Sequence, residues 1–180
     1  MTTESEPRPA TEQDLWDLLR SLADHRVDYV LIGGQALALQ GFARGTEDID
    51  LLLPMDAING RRVVDALSVL PDRAALDIDP QWLLESGTVR VADAIVVDLM
   101  TVAANGETYE SLKPNIQRHE KGGFCYYVLD IEGLIKTKQS VRPKDQQDLV
   151  ILRKMQERQR TLVSTSSPSR SRRKDRGPEI

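Results

Sequence analysis

At 180 residues the sequence is long enough for one full domain and too short for two typical ones. Hydrophobic residues make up 40% and charged residues 29%, which is ordinary for a soluble globular protein and too apolar for disorder throughout. Aromatics at 4% argue against a nucleic-acid reader built on stacked rings, and a net charge of −4 supplies no global drive toward nucleic acid.

The first ten residues read as a disordered lead-in. Thr11 followed three residues later by Asp14 marks a helix start, and Leu15, Trp16, Leu18, Leu19 and Leu22 recur at helical spacing to about His25. Val27 to Ile32 predicts a buried strand that ends at Gly33-Gly34. Gln35 to Gln40 is a short helical piece stopped by Gly41, and Glu47 to Leu53 is the next strand, ended by Pro54. Asp56 caps a helix with Ile58, Val63, Val64 and Leu67 facing inward. Asp79-Pro80 has the form of a cap followed by proline at the first helical position, with Trp82, Leu83 and Leu84 as the buried side. Thr88 to Val91 and Ala94 to Thr101 predict a hairpin around Ala92-Asp93. Phe124 to Leu129 is a further strand, Asp130 caps a helix to about Gln139, and Pro143 opens a last helix with Leu149, Leu152 and Met155 on one stripe.

These elements predict an α/β (α+β) class with a small mixed sheet flanked by helices. The expected organisation is a lead-in over 1–10, one domain over 11–160, and a basic tail over 161–180. The tail carries Arg170, Arg172, Arg173, Lys174 and Arg176, which either attach weakly to RNA or DNA or serve only solubility. A single Cys125, expected in the core, excludes an internal disulfide and any Cys-rich zinc site, which fits a reducing cytoplasm. The N-terminus has no apolar leader and no run reaches membrane-spanning length, so a soluble intracellular protein with no membrane partner is expected. His25 and His119 lack partners at metal-ligand spacing and are expected to face solvent.

Asp48-Ile49-Asp50 carries the chemistry. Residues two apart in a strand share a face, so both carboxylates point one way and Ile49, Leu51 and Leu53 the other. Side-by-side carboxylates repel and call for a cation. Asp98 sits among Ile95, Val96, Val97, Leu99 and Met100, where an unpaired carboxylate is expensive. If its strand lies beside that of Asp48 and Asp50, three carboxylates converge and could hold two Mg²⁺ ions about 3.5–4 Å apart. Otherwise each aspartate caps, turns or pairs alone. Asp77-Ile78-Asp79 has the same spelling, but it lacks the glycine turn and the leucine run, and reads as a loop and a cap. Gly33-Gly34 admits close approach of a phosphate, or is only a tight strand-to-helix turn. Arg44 and Thr46 flank the strand and could contact phosphate or acceptor, or pair with a surface carboxylate such as Glu47.

Gly33-Gly34, Asp48-x-Asp50 and Asp98 resemble the pattern of the nucleotidyltransferase superfamily with the DNA polymerase β-like fold. The spelling GGQALALQGFARGTEDIDLLL looks most like its small bacterial branch near the abortive-infection type E toxin nucleotidyltransferases. Lys136 and Lys138, then Arg142-Pro143-Lys144-Asp145-Gln146-Gln147-Asp148, match a later helical segment of that branch. The resemblance covers roughly residues 12–158. It implies transfer of a nucleoside monophosphate from a nucleoside triphosphate to RNA, a protein or a small molecule, with release of pyrophosphate. Asp48, Asp50 and Asp98 would bind metal, with Asp98 also helping to deprotonate the acceptor. Gly33 and Gly34 would receive phosphates, and Lys136 or Lys138 would meet the departing pyrophosphate. Both lysines could equally lie on a solvated helix face. Asp148 is expected to pair with Lys144 across one helical turn. A catalytically weak nucleotide-binding module working through a protein partner, such as an antitoxin-like regulator, is the rival function. Gly34 replaces the serine common at the second turn position, and the chain leaves little room for a separate acceptor domain.

Overall fold

Helix α1 (Glu12–Asp24) starts where its Thr-x-x-Asp pattern requires. Thr11 Oγ1 accepts from the Asp14 amide at 3.2 Å, and Asp14 accepts from the Thr11 amide at 2.7 Å, so two orphan amides of the first turn are satisfied. Arg8 clasps Asp14 with contacts of 2.6 and 2.9 Å and holds its carboxyl well below the usual range. The computed structural model describes residues 6–42, 45–140 and 142–165, so the start of the lead-in and the basic run from Arg170 lie outside the described residues. The backbone amides of Arg8 and Ala10 donate to Ala94 and Glu47, which ties down the end of a lead-in expected to be disordered.

Six strands form one mixed sheet: β1 (Val30–Ile32), β2 (Ile49–Leu52), β3 (Thr88–Ala92), β4 (Val96–Met100), β5 (Ile116–Lys121) and β6 (Phe124–Leu129). Their order is β3-β4-β2-β1-β6-β5. β1 runs antiparallel to β2 and parallel to β6, while β4 runs parallel to β2 and antiparallel to β3. The register pairs Ile32 with Asp50, Asp50 with Asp98, and Asp98 with Arg90, a single row across four strands. Directly paired residues share a face of the sheet. The alternating positions Leu31, Leu51 and Leu99 are fully buried on the other face. Their cluster takes in Leu15, Leu18 and Leu22 of α1 and Val63 and Leu67 of α3 (Ala57–Leu67). Helices α2 (Gly33–Leu39), α4 (Tyr109–Leu112), α5 (Ile131–Thr137) and α6 (Pro143–Thr165) complete the α/β arrangement.

Several elements differ from expectation for identifiable reasons. β5 is an edge strand whose side chains from Gln117 onward are exposed, so it has no apolar alternation to read. Gly122 and Gly123, at φ +57 and +82, make the tight turn into β6. His119 therefore lies in a strand, with its ring stacked on Tyr126 at 5.3 Å, and Cys125 is only half-buried beside Arg118. Ile58 faces solvent although Asp56 caps α3 as expected. Asp79-Pro80 opens a 3-10 turn (Pro80–Leu84) that buries Leu83 and leaves Trp82 and Leu84 exposed. α6 buries Leu149 and Leu152, then continues largely exposed to Thr165, past the expected domain end at 160. No helix among the described residues is long and apolar enough to cross a membrane.

The β3–β4 turn is set by Asp93, a carboxylate only 2% exposed. It accepts from the amides of Asp72 at 3.0 Å, Ala74 at 2.9 Å and Ala94 at 2.7 Å. Replacing it leaves the amides of Asp72, Ala74 and Ala94 without their acceptor. Asp93→Ala is expected to lower unfolding stability by about 3 kcal/mol in urea titration. Asp93→Asn, which keeps one carbonyl oxygen, should lose about half as much.

Candidate active site

The row across β3, β4 and β2 puts a cation beside two carboxylates. Arg90 Nε donates to Asp98 Oδ1 at 2.9 Å and Nη2 donates to Asp98 Oδ2 at 2.9 Å. The same Nη2 reaches Asp48 Oδ2 at 3.1 Å. Asp48 lies in a bend just before β2 rather than in the strand itself, yet it faces the same cleft as Asp50. Asp98 is 8% exposed. Among the described residues none donates a hydrogen bond to Asp50. Burial and the neighbouring Asp98 push its carboxyl up to about 6, with Lys138 opposing and Asp48 adding to the rise.

The glycine pair fits closely against these groups. Gly33 has φ +69, and a Cβ there would lie 2.1 Å from Asp50 Oδ2. A Cβ on Gly34 would lie 2.6 Å from Thr46 Cβ and 2.7 Å from its Oγ1. Gly33 is thus favoured by backbone conformation and by space, and Gly34 by space alone. α2 begins at Gly33 itself rather than at Gln35. Thr46 also donates to the Asp48 carbonyl at 3.3 Å, which holds the chain leading into β2.

Lys138 ends α5 and its side chain is 14% exposed. Its Nζ lies 3.0 Å from Asp145 Oδ1 and 3.1 Å from Asp148 Oδ2, both on the first turns of α6. Burial pushes the Asp145 carboxyl up, but hydrogen bonds from Ser140 and Lys138 outweigh it and hold the group below its ordinary value. Asp148 thus pairs with Lys138 rather than with Lys144, because α6 turns both aspartates inward. Lys144, one position from Asp145, is rotated to the cleft instead. Lys136 is not among the residues that line the cleft: its Nζ bonds Asn115 Oδ1 at 3.0 Å and lies 3.7 Å from Glu132. Arg44 lies outside the described residues.

The cleft these groups line measures about 440 Å³ and takes in Gly33, Gly34, Thr46, Asp48, Asp50, Arg90, Asp98, Lys138 and Lys144. Beyond Asp50 and Lys138 a smaller cavity of about 130 Å³ is walled by Ile32, Met100, Ala103, Ala104, Thr137 and Arg142. Three carboxylates are the hard oxygen donors that Mg²⁺ prefers, and Asp50 keeps its oxygens clear of donors. Among the described residues, however, no group of three or more His, Cys, Asp or Glu side chains is gathered closely enough to hold an ion as it stands. Arg90 holds two of the three carboxylates. The donor chemistry fits Mg²⁺, on condition that the guanidinium moves aside.

No family model matches the chain, and no curated protein matches it. A crystal structure of a Thermotoga maritima protein, described as a candidate nucleotidyltransferase, superposes with a TM-score of 0.48 at 18% identity over 87% of this chain and 95% of that one. Likeness at that level assigns neither activity nor site residues.

Asp50 binds its proton more tightly folded than unfolded. Its contribution therefore lowers stability as pH rises from about 4 to about 6, and the loss is complete above that. Without divalent metal, Asp50→Asn is expected to be the more stable protein at pH 7 by about 2 kcal/mol. The gap should close toward pH 4 in urea titrations of the two proteins.

Proposed function

We propose that the chain is a Mg²⁺-dependent nucleotidyltransferase that moves a nucleoside monophosphate from a nucleoside triphosphate to an acceptor and releases pyrophosphate. One observation carries this reading: Asp98 and Asp50 stand in direct register on β4 and β2, and Asp50 meets the side-chain-free edge of Gly33. A carboxylate pair next to bare backbone amides suits the joint binding of metal and phosphate.

Asp48, Asp50 and Asp98 are the residues to hold the metal, two ions on this reading, which would supply charge neutralisation for the triphosphate and activation of the attacking oxygen. Gly33 and Gly34 let the phosphates approach the main chain, and Thr46 offers a hydroxyl at the cleft wall. Lys138 is held and aimed by Asp145 and Asp148, and with Lys144 it faces negative charge developing on the departing pyrophosphate. Asp98 is the carboxylate assigned to take the acceptor hydroxyl's proton. RNA, a protein side chain and a small molecule all supply such a nucleophile.

A second reading has its own support. Arg90 pairs with two of the three carboxylates, which suits a catalytically weak nucleotide-binding module acting through a protein partner, such as an antitoxin-like regulator.

Incubation with Mg²⁺, each α-labelled nucleoside triphosphate and an acceptor pool of tRNA, lysate protein and aminoglycosides separates the two. Transfer of label that falls roughly 10²-fold or more in Asp48→Ala and Asp98→Ala supports the enzyme. Asp77→Ala, in the second Asp-Ile-Asp, should leave transfer unchanged. Nucleotide binding without transfer to any acceptor would favour the module.

A further inference from the structure

Arg90 is not required by the packing of the fold. Its side chain is 60% exposed on the edge strand β3, so it is held there by its pairing with carboxylates, chiefly the buried Asp98, rather than by burial of its own. It nevertheless closes both oxygens of Asp98 and one of Asp48. A guanidinium is flat, permanently charged and matched to a carboxylate at two points. The oxygens it covers are the ones a divalent ion would need. Asp50, next in the row, receives nothing from it.

We propose that Arg90 is a resident counter-ion that gates metal loading: guanidinium and divalent ion compete for Asp98 and Asp48, and the ion's arrival releases Arg90 to the mouth of the cleft. This rests on the metal-dependent reading above. The edge position of β3 gives the side chain open solvent to swing into, and release leaves its five N–H donors free for a substrate phosphate. Asp50 is the first landing point, since no described residue donates to its oxygens while the other two carboxylates are still held. The gate also has a protective effect. With Arg90 in place, repulsion between Asp48 and Asp98 is relieved in the metal-free site.

The test follows the Arg90 Nε–H signal of the full-length ¹⁵N-labelled chain, assigned with Arg90→Lys, through a Mg²⁺ titration. In parallel, Mn²⁺ affinity is read by electron paramagnetic resonance for the wild type, Arg90→Ala, Arg90→Lys and Lys144→Ala. Mg²⁺ should move the Nε–H from its ion-paired to a solvent-exposed shift. Arg90→Ala should tighten Mn²⁺ binding roughly five- to tenfold, the weight of a part-exposed bidentate pair. Arg90→Lys, which keeps the charge but loses the fork, should fall between. Lys144→Ala removes one positive charge from the same cleft and should tighten binding less than about twofold if only the screened field acts. Mg²⁺ binding with an unmoved Nε–H, or equal tightening by Arg90→Ala and Lys144→Ala, would overturn the gate and leave the metal site standing. Failure of every variant to bind Mn²⁺ would overturn both.

Discussion

Like charges on adjacent strands repel, and in this protein Asp50 and Asp98 face each other in register on β2 and β4, with Asp48 at the strand's entrance. Much of the surrounding architecture answers that repulsion. From one side the β3–β4 hairpin delivers Arg90, which satisfies Asp98 and Asp48. From the other, the α5–α6 junction delivers Lys138, whose charge opposes the rise in the Asp50 carboxyl. Lys138 is in turn held by Asp145 and Asp148, so the cation is supported as carefully as the anions. The Gly33 turn leaves room for an Asp50 oxygen that any side chain would displace. Asp50 remains the unbalanced group, raised by burial and by Asp98 more than Lys138 lowers it.

The strain is sustained by what lies on the sheet's opposite face. Leu31, Leu51 and Leu99 form a dry row that packs with α1 and α3, so β1, β2 and β4 cannot slip without exposing it. A one-residue slip would also turn every carboxylate of the site into the core. Asp93 performs the same office for β3: by binding three amides it fixes the loop, hence the register, hence the position of Arg90 opposite Asp98. The ordered register and the polar site are consequences of the same alternation.

Much of this was legible in the amino-acid order. The α1 start, the glycine turn, β2, β4 and the helix after Asp130 follow from capping residues and dense apolar runs, and Asp98 stands out because a lone carboxylate in such a run needs a reason. Arg90 was not legible, because its role depends on hairpin register. A turn centred on Ala92-Asp93 places Ile95 opposite it, whereas the actual loop of Asp93, Ala94 and Ile95 pairs Ala92 with Val96 and so brings Arg90 to Asp98. β5 escaped notice since an exposed edge has no hydrophobic face to report. Lys138 could be separated from Lys136 only by the direction each takes at the end of α5, and Lys144 from its aspartate neighbours only by how α6 is rotated. Local spacing reveals faces, and tertiary packing decides what they meet.

Diffraction from crystals grown with Mn²⁺ and a non-hydrolysable nucleoside triphosphate bears most directly on the central claim. Anomalous density bonded to Asp50 and Asp98, with the triphosphate against Gly33 and Gly34 and Arg90 withdrawn from Asp98, is the expected result. Nucleotide bound elsewhere, with the three carboxylates free of manganese and Arg90 still in place, would contradict it.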